Sequence, residues 1–166
     1  RVLFRSLPIG MLVFLSVILV GAFAVEAAVY PFHGWVPESY ASTFTSLTSY
    51  LSGISTRMGV YGIILVVFGF IGSAGMERMN PMGVLNFRYL FAVLSALTMI
   101  VPTYTALFQH DAKRLVTWHG IGQGGYMLVG IISGTVLGIA GGLFHIFNYL
   151  TYVTLILFSL AAVEYR

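Results

Sequence analysis

Five apolar stretches, each long enough to cross the roughly 30 Å hydrocarbon core of a bilayer as a helix of about 20 residues, leave this chain few ways to fold. They cover residues 7–35, 44–71, 84–108, 115–137 and 139–163. Short polar turns separate them: VPESY around Glu38, residues 72–81 and residues 109–114; the fourth and fifth stretches are expected to meet at 138–142. Lipid offers the backbone no hydrogen bonds, so such stretches become helices. The fold expected is all-α, a polytopic transmembrane helix bundle of about five spans in the cell membrane. Composition agrees, with 8% charged residues against about 25% in ordinary soluble domains.

The same composition excludes several functions. Without cysteine there is no disulfide framework, thiolate metal site or Cys nucleophile. The four histidines would have to carry any metal or haem. Haem between His119 and His145 is the enzyme-class rival, but no spaced histidine pair lies on a single helix, so no cofactor, no metal and no catalytic centre are expected. The net charge of +3 is scattered through loops and helix ends, which argues against nucleic acid as a partner. Gly120, Gly122 and Gly125 spell a G-x-G-x-x-G pattern, yet no strand precedes them and no acid follows at the right distance. They read as helix-packing glycines. Residues 1–6, RVLFRS, read as translated sequencing adapter and are set aside, leaving 7–166 as a single bundle.

Two charges stand out within the apolar background. Arg57 sits at the middle of the second stretch, where a guanidinium costs roughly 2.5–3.5 kcal/mol on insertion scales. Such a residue faces a bundle interior or a watery cavity. Glu26 precedes Pro31 by five residues, and proline removes a helical hydrogen bond and disfavours helix before it, so the first span is expected to break near Tyr30. If it breaks, Glu26 lies within the membrane; if not, it lies near the headgroups. A structural ion pair with Glu26 is the main rival to a functional Arg57.

Two polar faces join them. His119 and Gln123 are four apart; His145, Asn148, Tyr149 and Tyr152 follow i, i+3, i+4, i+7 spacing. Histidine titrates near neutrality, which suits a proton relay, although a single membrane histidine also serves as a plain interhelical hydrogen bond. Gly130, Gly134, Gly138 and Gly142 recur every four residues and read as a close-packing helix face.

Four ordered blocks carry a family resemblance: PFHGWVPESY from Pro31, LSGISTRMGVYGII from Leu51, ALFQHDAKRLVTWHGIGQGGYMLVGI from Ala106 and GLFHIFNYLTYVTLILFSLAAVEYR from Gly142. Together they resemble the antiporter-like membrane subunits of respiratory complex I, multisubunit sodium/proton antiporters and membrane-bound hydrogenases. The resemblance implies a fragment, the seventh to eleventh helices of a longer inverted-repeat subunit, with the first span its discontinuous helix. It also implies H⁺ or Na⁺ as cargo, sister membrane subunits and a redox arm as partners, and the Lys113–Arg114 loop on the cytoplasmic side. Ions would pass through Glu26, Arg57, His119, Gln123, His145, Asn148 and Tyr149. This sequence departs from the family where Glu26 and Arg57 stand for basic relay residues, Tyr149 for a histidine and Val153 for a lysine. Arginine hardly releases its proton. The alternative implied by those departures is a structural or assembly subunit that has lost translocation.

Overall fold

The computed structural model describes residues 8–72 and 87–166. Both the 1–6 segment and almost all of the 72–81 turn therefore lie outside the described residues. Among the described residues six helices follow in order: α1 (Ile9–Glu26), α2 (Trp35–Ala41), α3 (Thr45–Ile71), α4 (Phe87–Ala106), α5 (Ala112–Ile132) and α6 (Val136–Glu164).

The five stretches all form helices, but only α1, α3, α4 and α6 are long and apolar enough to cross a membrane by length and composition. The expectation of five spans is corrected to four that meet that test. The exception, α5, has the length and lacks the apolarity, because Lys113, Arg114, His119, Gln123 and its glycines interrupt the run. Its position supplies the reason. Ten of its 21 residues are buried, against five of 29 in α6, so α5 is the inner helix and need not present a greasy surface to lipid. It packs chiefly against α4 on one side and α6 on the other. The outward faces of α1 and α6 are large and apolar, with Phe14, Val17, Phe144, Phe147 and Phe158 all exposed, as expected of surfaces that meet hydrocarbon.

The first stretch is broken, and the break begins upstream of the position expected from Pro31. Helix α1 stops at Glu26 through a backbone cap. The Val29 amide donates to the Ala24 carbonyl at 2.9 Å and the Ala28 amide to the Val25 carbonyl at 3.1 Å, the paired bonds that close a helix over a left-handed residue. That residue is Ala28, at φ 55°. A Cβ there costs roughly 1–2 kcal/mol relative to right-handed backbone. The chain then turns through residues 27–34 and resumes as α2. Its interrupted backbone is covered, since the Tyr30 amide donates to Thr98 Oγ1 of α4 at 2.9 Å and the Trp35 indole donates to the Val25 carbonyl at 3.1 Å. Covering of this kind is what lipid demands of a broken helix.

Helix α3 is not uniform. Leu51–Ser55 and Leu65–Ile71 are π-helical and flank the regular turns Thr56–Ile64 that carry Arg57. A π-turn widens the helix by one residue and resets which side chains face inward.

The hairpin between α5 and α6 closes over Ser133–Thr135, not over 138–142 as expected. Gly134 takes the left-handed position at φ 69°, while Thr135 Oγ1 caps α6 by accepting from the Gly138 amide at 3.0 Å. Arg88 of α4 fixes the same corner, its Nε donating to the Ile132 carbonyl at 3.0 Å. Of the four-residue glycine series, Gly130, Gly138 and Gly142 lie where the two helices touch backbone to backbone. Gly134 serves the turn instead, because the αL position tolerates no side chain cheaply.

Candidate functional site

The polar side chains that a lipid-facing surface would reject are gathered where α1, α3, α5 and α6 meet. Arg57 is 5% exposed. Its Nη2 donates to the Gly120 carbonyl of α5 at 2.8 Å, its Nη1 approaches Met127 Sδ at 3.7 Å, and its guanidinium carbon lies 4.0 Å from the centroid of the Tyr149 ring. A charge-assisted hydrogen bond contributes about 1.5–3 kcal/mol and a desolvated cation–π contact about 2 kcal/mol. Together they match the insertion cost of the cation. Nε has no protein partner among the described residues.

Glu26 and Arg57 do not form an ion pair: the one ion pair among the described residues joins Arg114 and Glu38 at 3.5 Å, on the surface. The Glu26 carboxylate instead accepts from Ser55 Oγ at 2.8 Å. Glu26 is half-buried at the end of α1, followed by the buried Ala27, Ala28 and Val29, so it belongs to the bundle interior. Glycine makes this junction tight. A Cβ at Gly59 would run into the backbone of Glu26 and Ala27, and one at Gly124 would sit 3.1 Å from Arg57 Nη1.

Tyr149 is fully buried, and its hydroxyl lies 2.7 Å from Ser52 Oγ. Its ring meets Tyr152 edge to face at 5.3 Å, and Tyr152 lies 6.4 Å from the His119 ring. From there a second group begins. His145 Nε2 donates to Gln123 Oε1 at 2.7 Å, and Gln123 Nε2 donates to His119 Nε2 at 3.2 Å. One carboxamide therefore bridges two imidazoles on different helices. With the amide oriented this way, neutral His145 carries its proton on Nε2 and neutral His119 on Nδ1.

Asn148 is not drawn into either group. Its side chain is exposed and makes no hydrogen bond among the described residues. The buried stripe of α6 runs through Gly142, Tyr149, Val153, Leu157 and Ala161, and Asn148, at i+3 from His145, falls about 60° from His145 on the side away from that stripe and about 100° from Tyr149. Thr151, two residues from both Tyr149 and Val153 and so on the opposite face, is also exposed, its hydroxyl donating to the Phe147 carbonyl at 2.9 Å. Ser52, Ser55, Thr98 and Met127 were missed as members of the site. The first two were within reach, since hydroxyls at 52, 55 and 56 mark one helical face beside Arg57.

Gly120, Gly122 and Gly125 lie within α5 and serve contacts. A Cβ at Gly120 would strike the Tyr149 hydroxyl, one at Gly122 the Thr103 hydroxyl, and one at Gly125 the backbone of α4 at Met99. Among the described residues there is no group of three or more metal-ligating side chains.

Helices of this apolarity, one of them broken, wrapped around a buried strip of charge and imidazole, define a multi-pass membrane subunit. Comparison with known proteins names the family. A family model described as NADH:quinone oxidoreductase/Mrp antiporter, transmembrane, matches residues 5–166, and the chain belongs to that family. It is similar to a NAD(P)H-quinone oxidoreductase chain 4-2 of Synechocystis, with 28% identity over 161 residues, 97% of this chain and 27% of the relative. It is also similar to NADH-quinone oxidoreductase subunit N of Desulforamulus reducens, with 31% identity over 147 residues, 89% of this chain and 29% of the relative. In three dimensions it resembles a chain of an archaeal membrane-bound sulfane sulfur reductase, with a TM-score of 0.83, 29% identity and coverage of 99% of this chain and 27% of that one. A chain of an Mrp complex from a Dietzia species has the same fold, with a TM-score of 0.82 at 21% identity, covering 93% of this chain and 27% of that one. The chain thus spans little more than a quarter of the length of the relatives it matches.

Proposed function

We propose that this chain is the central part of a membrane subunit that carries protons, or Na⁺, along its buried polar axis within a multisubunit respiratory or antiporter complex. Sister membrane subunits and a redox arm are the partners proposed for it. The observation that carries the reading is the His119–Gln123–His145 chain, in which two titratable rings are joined through a group that both donates and accepts. Histidine changes charge near neutral pH, and a bridging amide fixes which ring nitrogen holds the proton. Arg57 supplies a fixed positive charge beside this relay. Glu26, hydrogen-bonded to Ser55 two residues before Arg57, supplies a carboxylate on the same axis. Tyr149 and Tyr152 fill the space between the two groups and present hydroxyls that both donate and accept hydrogen bonds.

The experiment is proton flux through the full-length subunit, in its complex and in proteoliposomes, carrying Gln123→Leu. Loss of about a hundredfold or more in rate, the range expected when a positioned proton-transfer group is removed, with assembly unchanged, supports the relay; flux equal to wild type removes it.

A second reading rests on the residues that replace basic relay groups. Arg57 is locked by neutral partners, and Val153 offers no titratable atom at a position 1% exposed. In that reading the subunit keeps the fold for assembly, and Glu26→Gln and Gln123→Leu both leave the ion yield of the complex unchanged.

A further inference from the structure

A small cavity of about 10 Å³ lies beside Arg57, lined by Tyr40, Ser52, Thr56, Arg57 and Thr117 together with Ala27 and Ala28. That volume is about one water molecule by the measure in which a probe sphere of water size is counted. Two buried donors border it and find no protein partner among the described residues: Arg57 Nε, on a side chain 5% exposed, and Tyr40 Oη, on one 2% exposed. Leaving either group unsatisfied costs about 1–3 kcal/mol, more for a charged one. They come from different helices and share one small space. We infer that this cavity is a binding site for a single water molecule that joins Tyr40 of α2 to Arg57 of α3.

The chemistry of the walls suits water. The Arg57 Nε–H donates to the water oxygen, and the Tyr40 hydroxyl donates to it or accepts from it. The water's remaining protons have acceptors. Thr56 Oγ1 spends its own proton on the Ser52 carbonyl at 3.0 Å and Thr117 Oγ1 spends its proton on the Lys113 carbonyl at 2.8 Å, so the lone pairs of both oxygens are open. Three or four polar partners are what a buried water ordinarily has. A monatomic anion, the other species a lone buried guanidinium attracts, is larger than the space.

The site has a consequence for how the broken span is held. The turn at residues 27–34 joins α1 to α2, and the water ties α2 to the cation on α3. Tyr40 is thereby a positioning residue, acting on Arg57 through the water. The C-terminal end of α2 and the turn after it are held as well, since Thr48 Oγ1 donates to the Tyr40 carbonyl at 3.0 Å and the buried Lys113 donates through Nζ to the Thr43 carbonyl. From the cavity, Thr117 leads on along α5, its hydroxyl donating to the Lys113 carbonyl. This inference stands on geometry and needs no ion translocation.

The test is the structure of the full-length subunit in its complex, in lipid, at a resolution that shows ordered water, for wild type, for Tyr40→Phe and for wild type in bromide. The expected result is one peak within hydrogen-bond reach of both Tyr40 Oη and Arg57 Nε, unchanged in bromide and lost in the isosteric Tyr40→Phe. Absence of the peak, a peak of full strength in Tyr40→Phe, or one that intensifies in bromide overturns the assignment. Should Tyr40→Phe fail to assemble, the two wild-type structures decide: a bridging peak indifferent to bromide upholds the site, and any other density there overturns it.

Discussion

The two halves of the buried polar strip are built on opposite terms. Around Arg57 every partner is neutral, the side chain is almost fully covered, and glycines at 59, 120 and 124 press helices against it. Around His119, Gln123 and His145 the side chains are half-buried, and Gln123 and His145 border an open groove of about 460 Å³ lined also by Tyr126 and by glycines of α5 and α6. The charge that cannot switch is encased, and the groups that can switch stand next to space. A fixed cation in a rigid nest costs no reorganisation while its neighbours change charge. Groups that exchange protons need a route to water, and the groove leaves Gln123 and His145 an open side.

Substitutions that exchange the character of the two halves probe this contrast. Arg57→Ala is expected to cost the most, about 3 kcal/mol of stability, because it strips the Gly120 carbonyl of its donor and leaves a void against the Tyr149 ring. Thermal unfolding of the full-length subunit measures it; a loss under about 1 kcal/mol would mean that the nest relaxes freely. Gly120→Ala comes next at about 2 kcal/mol, since its methyl group would meet the Tyr149 hydroxyl inside the packed half. Gly141→Ala, on the open half, meets nothing within 4 Å and is expected to stabilise α6 by roughly 0.5–1 kcal/mol through helix propensity alone. Opposite signs for these two alanines would confirm that packing differs between the halves. The smallest effect belongs to the break itself. Ala28→Gly relieves a left-handed alanine and is expected to raise stability by about 0.5 kcal/mol, after the added flexibility of the unfolded chain is subtracted.

Much of this architecture was legible in the sequence because lipid allows so few solutions. The helix ends fall within a few residues of the apolar boundaries for α3 and α4, and the break in the first span follows from Glu26 and Pro31 standing in an apolar run. What stops α1 was not legible, since a left-handed alanine cap carries no glycine to announce it. The number of strongly apolar spans was overestimated because run length was counted without asking which helix lies inside. An inner helix sheds apolarity, and α5 did. The glycine series misled for a related reason: four evenly spaced glycines look alike in sequence, whereas one ends a helix and three pack. Spacing also grouped Asn148 with His145 and Tyr149. At three residues an α-helix has turned 60° short of a full circle, and that angle separates the inside of α6 from its outside. The π-helical turns beside Arg57 leave no mark in composition, although the hydroxyls at 52, 55 and 56 do mark the polar face of that helix.

The claim at the centre of this account is that water reaches the histidine half of the strip from the groove between α5 and α6. The chain has no cysteine, so single cysteines introduced into the full-length subunit, cleared of any others, report water directly through a small membrane-impermeant thiol reagent. Gly141→Cys lines the groove and Phe144→Cys lies on the exposed apolar face of the same helix. The account predicts that the assembled subunit in lipid reacts at Gly141→Cys and not at Phe144→Cys. Equal silence at both positions would contradict it, because the groove would then be dry and the histidines would have no path to the aqueous phase.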